Sequence, residues 1–347
     1  MPKTQEMPRG RCLAPVRWGI LGAGGIARRF AASVAASEDS VLVAASRRTK
    51  ERADVLLDQV GAAGARGYGS HDELLADSRV DAVYLALPHG MHLEWCLRAL
   101  SAGKPVLCEK PLALSSEDAR RITAAAREAG VPFMEAMKAR FTPAAREVMR
   151  EVSVGVVGRV RSVEASLCND ALQHFRDSNS SYIFDSVQGG TLLDCGIYCA
   201  SWLEALLPGA IALESVDVAT VPARGCDDGG ATVDAYVGAR LKLGGVPALL
   251  ECAMDRAKPR RCEIVGERGR IVVEDLHRPQ AATVLVAGEE PRRIDAPYVV
   301  DDFFGELEHF NRMVRTGTAE SPVMPHGASV RCAQILDAVR AGFPRAR

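Results

Sequence analysis

Residues 16–27 read VRWGILGAGGIA: a short apolar run, then glycines at 22, 24 and 25, then an apolar restart. The run has the length and composition of a buried strand, and the glycines punctuate it. Gly22-Ala23-Gly24-Gly25-Ile26-Ala27 is a G-x-G-x-x-A turn. In such a turn the first glycine permits a tight bend, the second lets backbone approach a pyrophosphate, and the small last residue lets helix pack on strand. The helix that follows presents free N–H groups and the positive end of its dipole to the phosphates. The motif alone is common, so its weight depends on what surrounds it.

What surrounds it is an alternation. Residues 25–37 carry Ile26, Phe30 and Val34 at helical spacing, and 41–45 form a second strand. Helices are predicted over 49–60, 72–77, 92–102 and 116–129, the last capped at its start by the Ser115-Ser116-Glu117-Asp118 segment. Strands are predicted over 66–68, 81–87, 105–108 and 132–136. Alternating strands and helices predict an α/β, doubly wound parallel sheet of Rossmann type over 16–136. Residues 1–15 are polar, carry prolines and read as a flexible tail.

The end of the second strand selects the nucleotide. A reader of NAD usually places an acidic residue there to accept from the ribose 2′-OH. This chain has Ser46, Arg47 and Arg48 instead. Two guanidinium groups suit a 2′-phosphate, so NADP(H) is the expected cofactor. The plainer alternative is a solvated basic helix start.

After residue 137 the pattern changes. A helix is predicted over 141–152 and an alternating strand over 160–167, then a long irregular stretch over 168–190. Strands follow at 213–221, 232–243, 247–253, 261–266, 269–274 and 283–287, with Gly266-Glu267-Arg268-Gly269 as one hairpin turn. Closing helices are predicted over 301–316 and 327–341. Closely spaced strands with glycine turns predict a C-terminal α+β domain over 137–347, built on an open, mostly antiparallel sheet. The closing helices are free to pack back on the first domain.

Composition agrees with small-molecule chemistry. The 347 residues are 48% hydrophobic and 25% charged, with a net charge of −1. No global field draws the chain to nucleic acid or to an anionic membrane. No run reaches the ~20 apolar residues of a membrane span, and no signal peptide is visible, so a cytoplasmic location is expected. The ten cysteines form no CxxC pair and no zinc-like cluster. Cys195 and Cys199 share a predicted helix face, but they read as small buried hydrophobes, and no metal is expected.

Leu107-Cys108-Glu109-Lys110-Pro111-Leu112 carries a more specific signal, as does Leu87-Pro88-His89 followed by His92. With the glycine turn, these resemble the glucose–fructose oxidoreductase/inositol dehydrogenase (Gfo/Idh/MocA) family, over nearly the whole chain. Two further stretches, FMEAMKARF at 133–141 and GGTLLDCGIY at 189–198, resemble the branch holding dihydrodiol dehydrogenase, NADP-linked xylose dehydrogenase and certain 3-ketosugar reductases. Inositol dehydrogenases of the family typically carry His where this chain has Tyr198, which points away from an inositol substrate. The resemblance implies that Lys110 touches the nicotinamide ribose and the substrate oxygen, and that Leu87, Pro88 and His92 line the nicotinamide side. His89 is a weaker expectation. Glu109 contacts the cofactor or braces its turn. Arg140 reaches cofactor or substrate, or forms a structural ion pair.

Ketone reduction requires a hydride and a proton, and a phenol stays protonated at neutral pH. Tyr198 is the expected proton donor. Lys110 is the cation expected to lower its pKa, so that the same pair serves alcohol oxidation. Asp194 lies four residues before Tyr198 and shares its face on a helix, placed to orient the pair or to bind substrate. By spacing alone, Asp194 reads first as a helix cap and Tyr198 as a packing residue; the family resemblance turns the reading toward catalysis. In the 168–190 stretch, His174, Phe175, Arg176 and Tyr182 are candidates to contact substrate beneath a covering loop. The expected protein is an NADP(H)-dependent oxidoreductase interconverting alcohol and ketone on a sugar or cyclic polyol, assembled as a homodimer or homotetramer through its C-terminal sheet. A non-catalytic NADP-responsive regulator is the reading from a different class.

Overall fold

The computed structural model describes residues 14–22, 24–177, 182–224 and 230–344. The tail assigned to 1–15, apart from Ala14 and Pro15, and the Ala23 assignment lie outside the described residues. In chain order the first half runs β1 (Val16–Leu21), α1 (Gly25–Ala36), β2 (Ser40–Ser46), α2 (Lys50–Gln59), β3 (Arg66–Tyr68), α3 (His71–Leu75), β4 (Ala82–Leu85), α4 (His92–Ser101), β5 (Val106–Glu109), α5 (Ser116–Ala129) and β6 (Phe133–Ala136). All six strands pair in parallel in the order β3-β2-β1-β4-β5-β6. The strand order reverses between β1 and β4, and ligands of such sheets bind at that crevice, outside the carboxyl ends of the strands.

Trp18 and Ile20 of β1 and Phe30 of α1 are wholly buried, and the Phe30 ring stacks on Tyr84 of β4 at 3.7 Å between centroids. Ala27 is also fully buried, the close helix–strand contact that its small side chain allows. Gly22 takes a φ of +100°, and a Cβ there would lie 2.2 Å from the Ala86 carbonyl oxygen. Gly22→Ala is therefore expected to cost at least ~2 kcal/mol of stability, seen as a lowered Tm. An unchanged Tm would show that the turn can relax.

The second half runs α6 (Pro143–Ser153), β7 (Val160–Cys168), α7 (Leu172–Asp177), α8 (Ile197–Leu206), β8 (Ile211–Pro222), β9 (Thr232–Leu243), β10 (Val246–Ala253), β11 (Arg261–Gly266), β12 (Gly269–Glu274), β13 (Ala281–Val286), β14 (Arg292–Asp295), α9 (Phe304–Thr316) and α10 (His326–Ala341). Its eight strands order as β14-β13-β12-β11-β7-β10-β9-β8. Every neighbouring pair is antiparallel except β7–β10. The alternating burial of β9 shows one face turned to the core and the other toward solvent. Among the described residues, the 168–190 stretch is less irregular than its sequence implies, since α7 lies within it. The short edge strand β14 carries three charged residues in four and gives no apolar signal.

Both closing helices pack back on the first domain. Trp18 Nε1 donates to Asn311 Oδ1 of α9 across 3.1 Å, and Arg340 of α10 donates to the Leu114 carbonyl. The division at 136/137 thus marks where the chain leaves the first sheet, and 304–341 returns to it.

Candidate active site

The reversal point of the first sheet is where the chemistry gathers. β5 ends at Glu109, and Lys110 follows at the strand's carboxyl end. The loop that carries Lys110 is clamped from two sides. His92 Nδ1 lies 2.8 Å from the Pro111 carbonyl, and the Leu112 N–H donates to Glu135 Oε1 of β6 across 2.9 Å. Lys110 Nζ donates to Asp194 Oδ1 and to the Asp194 carbonyl, each at 2.8 Å, and lies 5.0 Å from the centre of the Tyr198 ring.

The segment bearing Asp194 and Tyr198 opens with a π turn over Leu192–Gly196 and continues as α8. Wide turns of this kind recur at functional sites, because they re-aim side chains and carbonyls. Here both Asp194 and Tyr198 face Lys110, so the shared-face expectation holds. The helix cap is not Asp194 but Asp234 of β9, whose Oδ2 accepts from the Leu192 N–H at 2.6 Å. Gly190 makes room for it: a Cβ there would lie 2.1 Å from Asp234 Oδ1.

Burial would lower the Lys110 pKa, but the Asp194 carboxylate and the neighbouring Tyr198 and Tyr182 outweigh it, so the ammonium is held well above its ordinary value. For Asp194, burial pushes up while Lys110 pulls down harder, and the carboxyl sits below the usual range. The pair is ionised throughout the neutral range. Tyr198 runs the other way. Burial raises its pKa and outweighs the lowering by Lys110, so the phenol is held in its acid form. Lys110 lowers the Tyr198 pKa as expected, but burial outweighs it and the net shift is upward. The Tyr198 hydroxyl makes no hydrogen bond to any described residue, which leaves it free to donate to a ligand.

Cofactor fit can be tested on the glycine turn. Gly24 precedes α1 with no side-chain cap on its first N–H groups, and nothing lies within 4 Å of where a Cβ on Gly24 or Gly25 would stand. An open, uncapped helix start suits a pyrophosphate. Beside it, Arg47 and the exposed Arg48 make no ion pair with any described carboxylate. Burial and the charges of Arg52 and Arg48 lower the Arg47 pKa, the sign of cations gathered without an anion. Ser46 differs from expectation. It is buried, and its hydroxyl lies 2.7 Å from His71 Nδ1, so it supports the strand end and is turned away from a ligand.

Other assignments divide. Leu87 and Pro88 lie at the carboxyl side of β4, and Tyr182 stands edge-on to His89 at 5.0 Å. His92 is fully buried with its second nitrogen 2.9 Å from the Leu87 carbonyl, so it ties two loops together and offers no polar atom to a ligand. Glu109 braces: its carboxylate accepts from the Tyr84 hydroxyl and from the Lys110 N–H. Arg140 is a structural ion pair, with Glu204 and Ser201 of α8 as partners. His174 and Arg176 are exposed on α7, while Phe175 packs into a satellite core with Phe184 and Met254; none joins the Lys110 cluster. His89 Nδ1 and the Gly90 N–H both bond Gln188, which clasps the 182–190 segment to the first domain. Residues 178–181 of that stretch lie outside the described residues.

Sequence reasoning passed over several groups around Tyr198. Lys138, its ammonium 6.0 Å from the Tyr198 ring centre, pairs with Asp302, as do Arg29 and Arg278. His277 stands edge-on to the same ring at 5.7 Å. A cavity of about 460 Å³ between α6 and α8 is mainly apolar and lined by Met149, Trp202 and Val323; it lies away from Lys110 and Tyr198. The eight described cysteines are all buried and unpaired, and Cys12 and Cys226 lie outside the described residues. No helix among the described residues is long and apolar enough to cross a membrane.

Residues 16–137 match the oxidoreductase family with an NAD-binding Rossmann fold, and residues 145–272 match the GFO/IDH/MocA C-terminal domain. The chain belongs to the GFO/IDH/MocA oxidoreductase family. Among GFO/IDH/MocA relatives, it is 34% identical to a mouse trans-1,2-dihydrobenzene-1,2-diol dehydrogenase, over 94% of this chain and 96% of that protein. A scyllo-inositol 2-dehydrogenase (NADP(+)) from Bacillus subtilis is 29% identical at the same coverage. The solved structure of a 3-ketoreductase from Actinomadura kijaniata, in complex with NADP and TDP-benzene, superposes with a TM-score of 0.79. It is 29% identical, with 95% of this chain and all of that chain covered.

Proposed function

We propose that this protein is an NADP(H)-dependent reductase of a ketone on a sugar or cyclic polyol, with a ketosugar, free or nucleotide-linked, as its preferred substrate. One observation carries this reading: the Lys110 ammonium, fixed by Asp194, stands 5.0 Å from the ring centre of Tyr198, whose phenol burial favours in its acid form. A bound NADPH supplies the hydride at such a site. Tyr198 gives its proton to the developing alkoxide, and Lys110 stabilises both the alkoxide and the phenolate left behind. Asp194 holds Lys110 in register. Tyr182, edge-on to His89, and the segment clasped by Gln188 border the Lys110 site. The NADP-bound 3-ketoreductase supports this reading. The similarity to dihydrodiol dehydrogenase supports a second one, oxidation of a trans-dihydrodiol or of an aldose such as xylose.

The test is a fluorescence titration with NADPH and with NADH, followed by turnover of 3-ketosugars, cyclic diols and aldoses. NADPH-preferring binding with fastest turnover on a ketosugar supports the first reading, and fastest turnover on a diol or aldose selects the second. Tight binding without any turnover would favour a cofactor-sensing regulator, and no binding would sink the proposal. The unpaired cations give a further expectation. Arg47→Ala should weaken NADPH by about 10-fold or more and leave NADH nearly unchanged. Equal weakening of both would place the reading of the 2′-phosphate elsewhere.

A further inference from the structure

We propose that Glu306 carries a proton at neutral pH, so that it and Glu109 together hold a single negative charge behind Tyr198, and that Glu306 is thereby a positioning residue for the acidity of that phenol.

Glu306 stands in the first turn of α9, wholly buried, and neither of its carboxyl oxygens has a partner among the described residues. The turn is pressed against the 138–141 segment: a Cβ on the adjacent Gly305 would lie 2.4 Å from the Phe141 carbonyl oxygen. Glu306 therefore has no easy path to solvent. The charged and titratable groups facing it come from five directions. They are Glu109 at the end of β5, Tyr84 on β4, Tyr198 on α8, Lys138, and Asp301 with Asp302 just before α9. Lys138 is the one cation among them, and Asp302 holds its ammonium while also pairing with Arg29 and Arg278.

Burial pushes the Glu109 carboxyl above its ordinary range as well, but of the two it is the better equipped to be charged. Its carboxylate accepts from the Tyr84 hydroxyl and from the Lys110 N–H, and Lys110 and Lys138 both favour its ionised form. Glu306 has none of these donors. Burying an ionised carboxylate without a partner costs several kcal/mol, and a second like charge nearby adds to the cost, so the group takes up a proton instead. Burial and then Glu109 drive it in that direction.

The consequence reaches Tyr198. A charged Glu306 would hold the phenol's proton more tightly and make Tyr198 a weaker donor; a neutral Glu306 leaves the proton available. Ionisation of Glu306 at alkaline pH should then depress the reductive turnover.

The proton itself is read by infrared difference spectroscopy on the cofactor-free protein. A protonated-carboxyl C=O band persisting above neutral pH in wild type and missing in Glu306→Gln is the expected result. Glu135, pushed up to about 7 by burial, is separated by its own Glu135→Gln spectrum. No band lost in Glu306→Gln would overturn the proposal. Should that variant not fold, glutamate-selective isotope labelling of wild type reads the same band, and absence of any glutamic acid band above pH 8 would overturn it. The effect on Tyr198 rests on the donor role proposed above. Glu306→Gln, neutral at every pH, should move the alkaline limb of reductive kcat upward by about half a unit or more. An unmoved limb would end the positioning role. Undiminished turnover in Tyr198→Phe would remove the donor assignment alone, and the infrared band would still decide the state of Glu306.

Discussion

Replacing Tyr198 by phenylalanine is expected to cut turnover by about 100-fold or more while leaving NADPH affinity within a few-fold. The ring is buried at 6% exposure, and it packs edge-on to His277 and beneath Lys110. Phenylalanine keeps all of that packing and removes only a hydroxyl that bonds no described residue. The loss therefore reports proton donation and little else. Steady-state reduction of the best ketosugar from the screen, with Tm and NADPH Kd measured alongside, makes the comparison. A variant with near-normal kcat would take Tyr198 out of the mechanism, and a variant with a collapsed Tm would show that the hydroxyl had a structural partner.

Lys110→Met is expected to be as damaging, for two separable reasons. Turnover should fall by about 10²–10³-fold, because the cation that stabilises alkoxide and phenolate is gone. Stability should also fall, by on the order of 2–3 kcal/mol, because Asp194 is left without its partner; the side chains are 12% and 20% exposed, which keeps the cost below that of a fully buried pair. Adding Asp194→Asn to Lys110→Met removes the orphaned charge. The double variant should regain most of its Tm and none of its turnover. Recovery of turnover would mean that the charge pair was scaffolding. The pH dependence has a definite sign. Asp194 lies below its ordinary pKa, so its contribution is full above the carboxylate range and is lost as pH falls through the depressed value. Lys110 lies above its ordinary pKa, so its contribution is lost only as pH rises through the raised value. Between these limits the pair gives a flat stability profile.

The features legible in the sequence were those in which short-range chemistry dictates local form. The glycine turn at 22–25, the Glu109-Lys110-Pro111 strand end and the Asp194–Tyr198 spacing each span only a few consecutive residues at the junction of two segments. What the sequence hid was partnership across distance. Nothing near Arg140 announces Glu204, and nothing near Lys138 announces Asp302, 164 residues away. Ser46 looked like a nucleotide ligand because it sits beside Arg47, yet its hydroxyl turns inward to His71. His92, which the family resemblance placed beside the nicotinamide, is spent on two carbonyls. His174 and Arg176 were drawn in by an aromatic, basic composition that an exposed helix explains equally well. Tyr198 shows the limit most clearly. Its neighbour Lys110 was foreseen, but the burial that outweighs that neighbour is a property of the whole fold.

The return of α9 to the first sheet bears on how the chain is made. Trp18 is completed by Phe310, 5.6 Å away between ring centroids, and by Asn311, and Arg29 reaches Asp302. During synthesis the glycine turn and its six strands emerge first, yet a flank of their apolar interior waits until α9, far beyond the last of those strands, has left the ribosome. The nascent first domain is thus an unfinished object with an indole on show. Trp18 and Arg29 reach their final setting only when α9 and the residues just before it close over them.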